Sequence, residues 1–120
     1  MKFFLQILSA LLIILIDGMC FSTTGHLSAL LKYYGLGTFL GEETGGTYAC
    51  NDASHDTVLK HTGYRFQSAR ASFATAVIGF PEDRGILPDH PVRPSIDEVI
   101  MNQDAVLEFA LELIQQKSAI

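Results

Sequence analysis

The sequence predicts an α/β fold, and three observations carry that reading. Residues 11–16 are continuously apolar and stop at Asp17-Gly18, the pattern of a strand covered on both faces. From Thr24 onward, apolar residues recur at Leu27, Leu30, Leu31 and Tyr34, the i, i+3, i+4, i+7 stripe of a helix with one buried face, and Gly35 follows as a left-handed stop. Residues 37–41, GTFLG, then read as a second strand. Strand, helix and strand joined by connections of a few residues make a βαβ unit, which requires a parallel pair.

The remaining elements follow in order. Residues 42–56 carry Gly45-Gly46, small polar side chains and no hydropathy period, so they read as loop. Residues 57–80 contain two or three short strands around Gly63, the strongest over 74–80. Residues 81–94 hold all 4 prolines and predict little regular structure. Ser95 with Glu98 three residues on is a capping box and opens a short helix over 95–100. Residues 104–116 form an amphipathic helix with Val106, Phe109, Ala110, Leu113 and Ile114 toward the core and Glu108, Glu112 and Gln116 outward.

Composition bounds the function. With 120 residues the chain is one domain, and 48% hydrophobic against 18% charged residues excludes a disordered chain. The net charge of -5 and the lack of a basic stripe argue against nucleic acid as a partner. Cys20 and Cys50 form no C-x-x-C pair or zinc spacing and read as two small thiols, with a disulfide between them left open. His26, His55, His61 and His90 are scattered and make no metal motif, so no cofactor is expected.

The N-terminus has two readings. Lys2 followed by an apolar run is the start of a secretory signal, but no small-x-small cleavage site precedes Asp17. The run from Phe3 to Ile16 includes Gln6 and Ser9 and falls short of the roughly 20 residues a spanning helix needs. The strand over 11–16 is the favoured reading, and residues 1–10 stay unassigned.

Chemistry concentrates at residues 17–26. Ser22 or Thr23 suits a helix N-cap, the ordinary use of these residue types. The same position suits a nucleophile: a sharp turn exposes the hydroxyl, and the helix N-terminus offers unpaired N–H groups and a dipole that favours negative charge. His26, one helical turn after Ser22, shares its face and leans toward it, and reads first as a polar residue on the helix flank.

The strand ending in Asp17-Gly18, the serine opening a helix at Ser22, Gly41-Glu42-Glu43-Thr44-Gly45-Gly46, and Gly85-Ile86-Leu87-Pro88-Asp89 occur in that order. Together they resemble the C-terminal part of the catalytic domain of the tail-specific (C-terminal processing) serine peptidases, closer to their tricorn-like branch. The resemblance spans about residues 11–116 and implies the C-terminal part of a ClpP/crotonase-like ββα core. It places Ser22 on the family's nucleophile and the Thr23 N–H among the oxyanion donors. The lysine of the lysine-dependent branch would fall 25 residues after Ser22, where this chain has Thr47; Lys32 and Lys60 do not match that spacing. The supporting glutamate of the tricorn-like branch falls on Glu82, three residues before Gly85, in preference to Glu42 or Glu43. That branch takes its histidine base and its second oxyanion donor from segments preceding the serine, and no histidine precedes Ser22 here.

The resemblance therefore implies a serine endopeptidase acting on protein or peptide substrates, without metal or organic cofactor, in the cell envelope or elsewhere outside the cytoplasm. It implies a catalytic domain incomplete as given, with another chain as a candidate to complete the core. Two other classes stay open: an inactive remnant that binds peptide or protein, and a small membrane-anchored protein.

Overall fold

The structure, a computed structural model, describes residues 12–52 and 55–118. In chain order these form β1 (Ile13–Ile16), α1 (Thr23–Tyr33), β2 (Thr38–Gly41), β3 (Ala49–Asn51), β4 (His55–Val58), β5 (Arg65–Ser68), β6 (Ser72–Ala74), β7 (His90–Pro91), α2 (Ile96–Ile100) and α3 (Ala105–Ser118). The unassigned segment over 1–10, on which the anchor reading rests, lies outside the described residues.

The βαβ unit is present. β1 and β2 pair in parallel, from Ile13 beside Thr38 to Ile16 beside Gly41, and β7 joins the other edge of β2 in parallel with His90 beside Leu40. The order β1-β2-β7 makes β2 the central strand. Successive side chains point to opposite faces of a strand, so the complete burial of both Phe39 and Leu40 means that both faces of the sheet are covered at β2. Lys32 of α1 sits over the Phe39 ring, 5.0 Å from its centroid, so α1 covers that face. His90, in register with Leu40, meets Phe109 of α3 at 5.9 Å between ring centroids, so α3 covers the other. The result is a small α/β layering of helix, parallel sheet and helix.

Helix α1 ends as its sequence predicts. Gly35 takes φ 63, its N–H donates to the Lys32 carbonyl, and the Leu36 N–H donates to the Leu31 carbonyl, which satisfies the last free carbonyls of the helix. Its buried face, however, is not the leucine stripe. Gly25, Ser28 and Ala29 are buried, whereas Leu27 is 53% exposed and Tyr34 64%. The helix carries two stripes of the same period, and the close approach of other backbone selects the small one. A Cβ at Gly25 would lie 2.7 Å from the Thr47 carbonyl oxygen, so no leucine fits on that side. Replacing Leu27 and Leu30 by glutamine should therefore move stability by no more than about 0.5 kcal/mol each, as for exposed positions. A urea titration of each variant checks this, and a loss of several times that size would return the leucine stripe to the core.

Other elements depart from expectation in instructive ways. Among the described residues β1 is an edge strand, and only Ile16 is buried on it; Leu15 remains 41% exposed, so the strand is not covered on both faces. The segment 42–56 is not all loop, because β3 lies within it and β4 begins at His55. β3 pairs antiparallel with β6, and β4 with β5 around a turn at Gly63, where φ is 71. The strand expected over 74–80 is absent beyond Ala74, since the chain there breaks into bends. The capping box of α2 is formed, with the Ser95 N–H donating to Glu98 Oε2 and the Glu98 N–H to Ser95 Oγ. In α3 Ala110 is buried and Phe109 half-buried, while Ile114 lies 47% exposed instead of facing the core.

Candidate active site

The turn between β1 and α1 opens at the carboxyl end of the parallel strands, where open α/β sheets place their ligands. Asp17 organises it. Its carboxylate accepts the Met19 N–H at 2.8 Å and its carbonyl accepts the Cys20 N–H at 3.1 Å. The chain then reaches Ser22 with φ 49 and ψ -122, a combination that is the mirror image of extended backbone and is comfortable only for glycine. The Ser22 side chain makes no cap hydrogen bond, so the cap reading of this serine is set aside. Its carbonyl accepts the His26 N–H at 3.1 Å and the Phe21 carbonyl accepts the Thr24 N–H at 3.0 Å. The Thr23 N–H, between them, belongs to the opening turn, whose amides have no helical acceptor.

Strain of this type costs of the order of 1–3 kcal/mol and persists only where the surroundings impose it. The imposing surface is the Gly45-Gly46 loop. Neither glycine has a positive φ, so conformational freedom is not their reason for being there. A Cβ on Gly46 would lie 3.1 Å from the Ser22 N and the Cys20 O, and one on Gly45 would run into the Gly18 carbonyl and the Phe21 ring. The Gly46 N–H donates to the Cys20 carbonyl at 2.9 Å. Ser22→Gly should thus raise stability by about 1 kcal/mol, the relieved strain less the extra freedom of glycine in the unfolded chain. The measurement is a thermal melt, and a lowered Tm would mean that the backbone at Ser22 is unstrained.

The two sequence motifs after β2 are bonded to each other. Arg84 holds Glu43 with two hydrogen bonds, 3.2 Å from Nε and 2.7 Å from Nη2, and Glu43 Oε1 also accepts the Gly85 N–H at 2.8 Å. The Arg84 hydrogen bonds hold the Glu43 carboxyl below its ordinary range. Buried Thr44 accepts the Ile86 N–H and donates to the Gly46 carbonyl. Asp89 accepts the Phe39 N–H at 2.9 Å and a bond from Lys32 at 2.6 Å. Burial pushes its carboxyl up, but the Lys32 and Phe39 bonds outweigh that and leave it lowered. These residues position the Gly-Gly loop and tie α1 to β2.

Ser22, Thr23 and His26 form one wall of a cleft of about 450 Å³. The opposite wall is the β3–β6 ribbon, with Cys50, Asn51, Asp52 and Phe73. Glu82 does not line this cleft; it accepts a long 3.4 Å bond from the Tyr48 hydroxyl. Burial and the Glu82 charge push the Tyr48 phenol up. Glu42 pairs with Arg93 at 3.2 Å. The structure thus brings Ser22 and Thr23 together and leaves Glu82 apart from them. His26 is on the helix flank, as expected, but both ring nitrogens are engaged: Nδ1 is 2.7 Å from Thr75 Oγ1 and Nε2 3.0 Å from Cys50 Sγ.

The sequence reading takes Cys50 only as a small thiol and does not single out Asp52, Phe73 or Thr75. The signal of Cys50, Phe73 and Thr75 is a period of two in TYAC and SFAT, too short to stand out beside a glycine-rich loop. Both cysteines are free. No family model and no curated protein matches the chain.

Proposed function

We propose that the chain acts as the C-terminal part of the catalytic domain of a serine endopeptidase of the tail-specific, tricorn-like kind, built on a ClpP/crotonase-like core. The conformation of Ser22 carries this reading: a strained serine at a strand-to-helix turn, facing a cleft, with its hydroxyl not spent on capping. Ser22 Oγ attacks the carbonyl carbon of a peptide bond, and the Thr23 N–H stabilises the oxyanion that forms. Phe73 offers an apolar wall and Asn51 a polar one to the peptide on either side of that bond. A histidine supplied by a preceding segment or by a second chain takes the serine proton, since His26 is engaged with Cys50 and Thr75. Glu82 enters only through Tyr48. The family resemblance extends the proposal to an extracytoplasmic location.

A binding module without catalysis is the second reading, favoured by the absence of a base bonded to Ser22 among the described residues. The anchored reading has no support in the described part, where no helix is long and apolar enough to cross a membrane. A fluorophosphonate probe separates the first two. Covalent labelling that Ser22→Ala abolishes supports the peptidase, and it should fall by at least about 100-fold. A folded wild type that stays unlabelled while still binding peptides supports the module.

A further inference from the structure

We infer that Cys50, His26 and Thr75 form a nucleophilic thiol site in the cleft, one that takes a soft electrophilic carbon and does not depend on Ser22. Three elements build it. In the β3–β6 ribbon Cys50 lies directly opposite Phe73, and the Thr75 N–H donates to the Tyr48 carbonyl at 2.8 Å, which continues the same register. The period of two then puts Tyr48, Cys50, Phe73 and Thr75 on one face of the ribbon. That face meets α1, where His26 reaches across with Nε2 3.0 Å from Cys50 Sγ and Nδ1 2.7 Å from Thr75 Oγ1.

The arrangement is a nucleophile, a base within hydrogen-bond reach, and a third group that orients the base. The Cys50 S–H can donate only to an unprotonated Nε2, which leaves the ring proton on Nδ1, donated to the Thr75 oxygen. When the thiol proton moves to Nε2, the Nδ1–H bond to Thr75 is kept. Both protonation states of the pair are therefore held by the same contacts, and the thiolate is the reactive form. Cys50 is half-buried and lines the cleft, so an electrophile can reach it. The carboxylate on that wall, Asp52, accepts the Arg70 N–H at 2.8 Å. Cys20 is the contrast within the same chain: it is equally half-buried, but its Sγ meets the Asp17 carboxylate at 3.7 Å and not an imidazole.

Iodoacetamide tests this on the whole chain. Sγ bonds to the methylene carbon, the C–I bond breaks, iodide leaves, and the thiol proton passes through His26 to solvent. Tryptic peptides separate Cys20 from Cys50, because Lys32 lies between them. At neutral pH Cys50 should be alkylated roughly tenfold faster than Cys20, and His26→Gln should remove most of that ratio. Thr75→Val, which keeps the shape of the side chain, should lower it partially and serves if His26→Gln does not fold. Equal rates at the two cysteines overturn the proposal. So does a ratio that survives either substitution in a folded protein. Ser22→Ala should leave the ratio unchanged, so the result stands apart from that of the fluorophosphonate experiment.

Discussion

Phe39→Ala should cost the chain about 3–5 kcal/mol, a large part of what a small domain has to lose. Phe39 is fully buried on the central strand of the parallel sheet, and among the described residues it is, with Leu40 and Ile86, one of the largest side chains closed off from solvent. Its ring carries the Lys32 ammonium, and its N–H is held by Asp89. Truncation leaves a cavity under α1 and loosens the Lys32–Asp89 pair at the same time. Since the chain has no tryptophan, urea unfolding followed by far-UV circular dichroism is the measurement. A loss below about 1.5 kcal/mol would mean that the site collapses freely, and that α1 is not seated on the sheet as described.

Gly45→Ala should act on both stability and site. The added methyl would enter the space of the Gly18 carbonyl and the Phe21 ring, and Gly18 belongs to the turn that delivers Ser22. The ring can swing aside, but the carbonyl cannot without moving the turn. Overpacking of this kind costs about 1–3 kcal/mol. The more telling effect falls on Ser22, whose backbone is held in its unusual conformation by the surface the two glycines make. Fluorophosphonate labelling, if Ser22 is the nucleophile, should drop by about tenfold or more under conditions where the variant is still folded. Unchanged labelling with unchanged stability would show that the loop is not what shapes the turn. Gly63→Ala is a useful companion, because its Cβ would meet nothing within 4 Å and its cost is confined to a φ of 71.

Much of the scaffold was legible because it obeys local rules. Gly35 at the end of α1 and the Ser95–Glu98 box rest on interactions within a few residues of chain, and the βαβ order follows from local hydropathy patterns joined by short connections. What the sequence hid depends on partners far along the chain. Hydropathy ranks leucine above glycine, serine and alanine, so the outer stripe of α1 outscored the inner one; only the Gly46-Thr47 backbone passing close to Gly25 reverses that order. Counting from a motif placed Glu82 near the serine, while three-dimensional position gives Glu43 the anchoring bonds to Arg84 and Gly85 and leaves Glu82 beside Tyr48. The cleft itself was half legible. Ser22, Thr23 and His26 are on one helix end, but the opposite wall comes from two three-residue strands more than twenty residues apart, and no local pattern marks such a pair.

The outward leucines of α1 have a calorimetric consequence. Leu27 and Leu30 on α1, like Leu107, Leu111 and Ile114 on α3, stay in contact with water after folding. Their hydration contributes little to the difference between folded and unfolded chain. The heat-capacity increment on unfolding should therefore fall below the roughly 12–15 cal/mol/K per residue usual for globular domains, and the stability curve should be correspondingly flat. A chain or segment that seats on those helices would transfer the missing increment to the association step, which would then show a large negative heat-capacity change of its own.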